Sequence, residues 1–187
     1  LEVTTSNHKD ILFYFYNIDE LKQFYNKNIK PNRKNGLFFD LWQTNINIEE
    51  LIEESKNYNC LTSIAHPFAI RPKRSYNFFI NNKQLLKKIN AIEVMNILQK
   101  FKNSLKSYDW ALKTKKAMTG GSDAHSIKRL GDVLTLAYAE NTEQFLDEIK
   151  NKKNGVIGQQ PPKRERFKLN FRILKKNLRF IRRTYDE

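Results

Sequence analysis

The chain has 187 residues, a net charge of +14, and 40% hydrophobic and 12% aromatic residues. That length and aromatic content fit one globular domain with a sizeable core and exclude general disorder. No apolar run is long enough for a membrane span, no basic-then-apolar leader opens the chain, and a single cysteine, Cys60, permits no internal disulfide. A reduced, cytoplasmic protein is expected.

Taken in order, short apolar strands alternate with amphipathic helices. Ile11–Tyr16 is a continuous apolar and aromatic run, read as a buried strand. Asp19–Asn28 follows as a helix with Leu21, Phe24 and Tyr25 at helical spacing, closed by Pro31. Lys30–Gln43 reads as a loop holding Gly36 and an aromatic cluster at Phe38–Trp42. Asn47 with Glu50 three residues on is a capping-box pattern, which opens a helix running to about Tyr58. Leu61–Ala65 is the next strand and runs into His66-Pro67, followed by a basic loop with Arg71, Lys73 and Arg74. A helix is expected around Lys83–Ile89, a strand at Ala91–Met95, and a helix over Ser104–Lys115. The short strand Ala117–Thr119 leads into a Gly-Gly-Ser-Asp-Ala-His turn ending at His125. Val133–Ala137 and Val156–Ile157 are the last strands, with a helix over Thr142–Lys152 between them. This β-α alternation predicts parallel strands with helices outside, in a layered or barrel form.

Pro161-Pro162 separates a body of residues 1–160 from a tail of residues 161–187. The tail places Phe167, Phe171, Leu174, Leu178 and Ile181 on one helical stripe, with mostly basic residues elsewhere. It holds ten Lys or Arg against three acids, so half of the net charge sits in this amphipathic helix. Such a concentration favours a polyanionic partner, nucleic acid above all.

Three strand ends carry residue types that ligate metals. His66 follows Leu61–Ala65; Asp123 and His125 follow Ala117–Thr119; His8 and Asp10 precede or open Ile11–Tyr16. In extended backbone Asp123 and His125 point to the same face, and the two glycines before them let the chain turn sharply. Asp and His are ligands for zinc, manganese or iron in hydrolytic sites. Glu93, inside a strand, reads as a structural hydrogen-bonding partner, and Ser122 has no base placed to activate it.

Ser-Ile-Ala-His-Pro-Phe (63–68), Ile-Glu-Val-Met-Asn (92–96) and Thr-Gly-Gly-Ser-Asp-Ala-His-Ser (119–126) occur in the order seen in PHP-domain phosphoesterases, the polymerase and histidinol phosphatase superfamily. Leu130-Gly131 and Leu134-Thr135 also fit, and Leu-Glu-Val-Thr-Thr (1–5) resembles the family segment whose glutamate bridges metals. The resemblance covers about residues 1–158. It implies a distorted seven-stranded β/α barrel and metal-dependent phosphoester hydrolysis with divalent ions such as Zn, Mn, Fe or Mg. It makes Glu2, His66, Asp123 and His125 metal ligands, with either Asp10 or His8 as a further one.

Asp123 and His125 are also the implied catalytic residues, and Arg71 or Arg74 is the implied phosphate-binding group. The family opens with a His-x-His pair and a further Asp-His motif, neither of which is present here. Three histidines cannot assemble the usual trinuclear site. The expectation is therefore a partial barrel, the C-terminal two-thirds of a PHP domain without its N-terminal strands. An N-terminal partner chain that completes the barrel belongs to that expectation. Divalent ions explain why these residues recur: they lower the pKa of a bound water and neutralise charge growing on the phosphate. The alternatives are a PHP remnant that binds nucleic acid without catalysis, and a histidinol-phosphatase-like metabolic enzyme that leaves the basic tail unexplained.

Overall fold

A computed structural model describes residues 1–34, 43–69, 73–124 and 127–159. Its centre is a five-stranded sheet in the order β1 (Glu2–Thr4), β2 (Asp10–Phe15), β3 (Cys60–Ile64), β4 (Ala91–Asn96) and β5 (Ala117–Gly121). A separate two-stranded antiparallel hairpin, with α6 in its connection, is formed by β6 (Val133–Leu136) and β7 (Gly155–Gly158). The helices are α1 (Ile18–Phe24), α2 (Ile48–Ser55), α3 (Tyr76–Asn81), α4 (Lys83–Lys88), α5 (Phe101–Thr114) and α6 (Thr142–Lys150).

The expectation of parallel strands throughout holds only for part of the sheet. β3, β4 and β5 are parallel, each joined to the next through helices, as crossovers require. β1–β2, β2–β3 and β6–β7 are antiparallel. The β1–β2 connection is the physical reason at one edge. Only Thr5–Lys9 separates those strands, closed by Thr5 and Lys9 backbone hydrogen bonds, which is too short for a crossover. The described residues thus hold a mixed α/β sheet with helices, and no closed barrel forms among them.

Local sequence explains three of the six α-helix starts. Asn17, Asn47 and Asn141 stand at the N-termini of α1, α2 and α6, and their side chains accept the backbone N–H of Asp19, Glu50 and Gln144. The α1 helix ends earlier than its apolar spacing predicts, passing into a wide turn over Tyr25–Ile29 and a tight one over Lys30–Asn32. Pro31 lacks the N–H that a continuing helix needs. α3 lies where a loop was expected. Its Tyr76 stacks on Phe68 at 4.5 Å and meets Trp110 edge-on at 5.1 Å, so tertiary packing rather than periodicity holds it.

Alternation along β2 divides the core in two. Ile11, Phe13 and Phe15 are buried with Phe24 of α1 and Ile48, Leu51 and Ile52 of α2. Ile64, Ile92, Trp110 and Ala111 continue the same cluster. Tyr14 and Tyr16 pack instead with Leu61, Ala91 and Ala117, which α6 covers with Leu146 and Ile149.

The β6–β7 hairpin packs on β5 through Gly120. A Cβ built there would lie 2.4 Å from Val156 Cγ1 and 3.0 Å from Val133 Cγ1. The Gly120 backbone is also tied to Thr135 Oγ1 through both its N–H and its carbonyl. A Gly120→Val variant should therefore lose about 1–3 kcal/mol of stability by overpacking, read from its urea midpoint. An unchanged midpoint would show that the hairpin is not seated there.

The aromatic cluster at Phe38–Trp42 and the tail at 161–187 lie outside the described residues. Among the described residues no helix is long and apolar enough to cross a membrane.

Candidate metal centre

The sheet topology brings several strand ends to one place. β3, β4 and β5 are parallel, so the residues that follow or close them, His66, Asn96 and Asp123, share one edge of the sheet. β2 runs opposite to β3, which puts its first residue, Asp10, beside the end of β3; Ile11 pairs with Ile64, and Ala65 donates its N–H to the Asp10 carbonyl at 3.3 Å. β1 adds Glu2 across from Leu12.

Glu2, Asp10 and His66 offer ligand atoms that all lie within 4.8 Å of one another. His66 Nε2 is 3.2 Å from Glu2 Oε1 and 3.3 Å from Asp10 Oδ2. Asp10 is fully buried, and its other oxygen accepts the Thr4 hydroxyl at 2.6 Å. Two carboxylates and an imidazole are the donor set that zinc, manganese or iron accept. A buried carboxylate oxygen facing an imidazole nitrogen fits a divalent ion. His8 is not part of this group. It sits exposed in the β1–β2 turn at φ 57°, whereas Asp10 is the one of the pair inside the cluster.

A second layer of polar groups stands behind the first. Glu93 Oε2 accepts the backbone N–H of His66 at 2.8 Å and the Asn96 amide at 3.3 Å. The same Asn96 amide donates to Asp123 Oδ2 at 3.2 Å, which links Asp123 to the cluster through one side chain. Gly121 leaves room for this arrangement, since a Cβ there would come within 3.1 Å of Glu93 Oε1. His66 and Asp123 both hold positive φ, 26° and 45°. Such backbone costs of order 1–3 kcal/mol per residue and gathers at functional sites.

The charges in this pocket act on one another. Burial pulls the His66 imidazole down. The hydrogen bond that His66 donates to Glu2 and the charges of Glu93, Asp10 and Glu2 outweigh it and raise the pKa to about 9. Burial pushes the Glu93 carboxyl up to about 7, partly opposed by His66 and its N–H. Lys73 places its ammonium 2.7 Å from Asp10 Oδ2. Burial lowers its pKa, but Asp10, Glu2 and Asp123 outweigh that and raise it.

The sequence names Glu2, His66, Asp123 and either Asp10 or His8 as candidate ligands, and the ligand atoms of Glu2, Asp10 and His66 lie within 4.8 Å of one another. Asp123 stands one hydrogen-bonded side chain away. Lys73, from the same basic loop as Arg71 and Arg74, lies against Asp10. Arg74 is half-buried just before α3, and its Nε has no hydrogen-bond partner among the described residues. Arg71 and His125 lie outside the described residues. Glu93 is a hydrogen-bonding partner, as its strand position suggested. Asn96 was missed as a bridging residue although it ends the Ile-Glu-Val-Met-Asn motif; its place at the end of a parallel strand was the available signal.

The fold and this cluster define a mixed α/β protein with a carboxylate–imidazole site at its strand ends. Residues 103–154 match the family described as PHP-associated, in keeping with the C-terminal region of a PHP domain. That match spans α5, β5, β6 and α6 and includes Asp123. The chain is 30% identical over 105 residues to the uncharacterized protein MJ0417 of Methanocaldococcus jannaschii, an alignment covering 52% of this chain and 44% of that protein. It therefore spans less than half the length of that curated relative. Its fold is similar to the crystal structure of PsfC from Pseudomonas syringae, with a TM-score of 0.55 at 17% identity, over 84% of this chain and 57% of that one.

Proposed function

We propose that the chain is part of a PHP-type, metal-dependent phosphoester hydrolase with a partial β/α barrel as its body. The observation that carries this reading is the convergence of Glu2, Asp10 and His66 at the edge where the parallel strands end. Glu2 and Asp10 would hold a divalent ion through oxygen, and His66 through Nε2. The ion supplies Lewis acidity and activation of water, the usual contribution in phosphoester hydrolysis.

This chain's residues do the rest. Glu93 fixes the His66 backbone, and Asn96 orients Asp123 towards the same edge. Asp123 and His125 complete the ligand and catalytic set, and Arg71 or Arg74 binds the phosphate with charge-assisted hydrogen bonds. The substrate class is a phosphorylated compound, with nucleic acid or nucleotides favoured by the +14 charge.

The test is hydrolysis of a generic aryl phosphate with added manganese or zinc. Turnover should appear with metal and fall to the metal-free background in Asp123→Ala; unchanged turnover in that variant would sink the reading. The same charge favours a second reading, a PHP remnant that holds RNA or DNA through residues 161–187 without hydrolysing it. Metal-loaded protein that binds nucleic acid and leaves the aryl phosphate intact would favour that one.

A further inference from the structure

The Lys73 ammonium stands on the same carboxylate oxygen that meets His66. Its Nζ lies 2.7 Å, and His66 Nε2 3.3 Å, from Asp10 Oδ2. Asp10 and His66 are buried members of the ligand cluster. The Lys73 side chain is 51% exposed and hangs on a flexible four-carbon stem. One partner of this contact is fixed and the other is free to leave. The two residues that follow carry buried polar atoms with no hydrogen-bond partner among the described residues, Arg74 Nε and Ser75 Oγ. Buried donors that the surrounding protein leaves unpaired point to an acceptor from outside it.

Resting on the metal-dependent reading above, we infer that Lys73 is a phosphate-binding residue that the metal ion releases. A divalent ion held by Glu2, Asp10 and His66 takes Asp10 Oδ2 and repels the ammonium from it. The charges of Glu2 and Asp123 also hold that ammonium. Both belong to the ligand set in that reading, so neither is left to receive the displaced cation. A phosphate group brought to the site supplies the missing anion, and Arg74 and Ser75, next along the chain, add donors. Lysine serves phosphate as a compact point charge that turns through a wide arc. Metal and phosphate binding are therefore coupled: the ion frees the cation and the phosphate recaptures it. Without metal, Lys73 stays on Asp10 and is withheld from an incoming anion.

The test reads lysine reactivity and binding rather than turnover. Trace acetylation of the full chain with a succinimidyl ester is followed by peptide mass spectrometry. Saturating manganese should speed labelling of Lys73 by ~10-fold or more, and inorganic phosphate should then slow it by a similar factor. In metal-free protein, phosphate should leave the rate unchanged. By calorimetry, phosphate should tighten manganese binding at least ~10-fold more in the parent protein than in Lys73→Met. Lys113→Met, which removes an exposed cation shortly before β5 begins, at the far end of the sheet, should behave as the parent does. The labelling needs no substitution, so it decides the matter even where Lys73→Met does not fold. Equal tightening in Lys73→Met, or labelling that manganese does not speed or phosphate does not slow, would overturn this inference and leave the metal centre standing. Protein that binds no manganese would overturn this inference and the phosphoesterase reading together.

Discussion

Replacing Asp10 with Asn should weaken manganese and zinc binding by ~100-fold or more, since altering even groups behind a metal's ligands costs 10–100-fold. His66→Ala should do the same. His8→Ala should leave affinity unchanged, because His8 is exposed in the turn and lies outside the cluster. Isothermal titration with each ion checks all three variants without any substrate. Equal affinity in Asp10→Asn and the parent protein would remove Asp10 from the site.

The pH dependence of the same titration follows from His66. Without metal its imidazole is protonated up to about pH 9, and a divalent ion needs the neutral ring. Affinity should rise about tenfold per pH unit from 7 to 9 and flatten above, with about one proton released per ion near neutrality. Stability of the metal-free protein should move the other way. His66, raised from 6.5, contributes stability that is full below 6.5 and lost as pH rises through about 9. Glu93, also raised, is best accommodated below its ordinary 4.5, and its burial penalty grows as pH rises through about 7. Glu93 lowers stability between its ordinary 4.5 and about 7, and His66 between 6.5 and about 9, so together they slope downward from pH 5 to 9. Melting temperatures that climb over this range without metal would contradict the charge state assigned to His66.

How much of this was readable in the sequence depends on whether each signal was local. Strands β2 to β5 were legible as apolar runs, and α2 from its Asn47 cap, because both signals sit within a few residues. The candidate ligands His66 and Asp123 stood out because each follows a strand in a motif that resembles the PHP type. Strand direction was not legible. The 44 residues between β2 and β3 contain helices, which is the pattern of a parallel crossover, yet Ile11 pairs with Ile64 antiparallel. The choice between His8 and Asp10 was likewise open in one dimension. Register puts Asp10 rather than His8 beside Glu2 and His66, since Thr4 pairs with Asp10 while His8 falls in the turn. Lys73 shows the limit most clearly. A lysine in a basic loop reads as solvated or as a phosphate ligand, and only the folded chain places it on a buried carboxylate.

That contact leads to the second large effect. Lys73 Nζ, 2.7 Å from Asp10 Oδ2, occupies the carboxylate oxygen that an incoming ion needs. The ammonium is a half-exposed cation facing a fully buried anion, so removing it leaves the Asp10 carboxylate with the His66 imidazole, 3.3 Å away, as its remaining cationic neighbour. Breaking a buried pair costs about 3–5 kcal/mol, and solvent access to the lysine reduces that towards about 1–3 kcal/mol. Lys73→Met should therefore lower stability by about 1–3 kcal/mol without metal. The same free energy reappears in metal binding, because the ion no longer displaces an ammonium. Affinity should rise by ~10- to 100-fold, and saturating metal should restore the melting temperature. Calorimetry and thermal unfolding of one variant thus read two sides of a single linkage. A variant destabilised with unchanged metal affinity would mean that Lys73 only neutralises Asp10 and that the ion binds elsewhere. Stability and affinity moving in opposite directions place the ammonium and the divalent ion in competition for one oxygen.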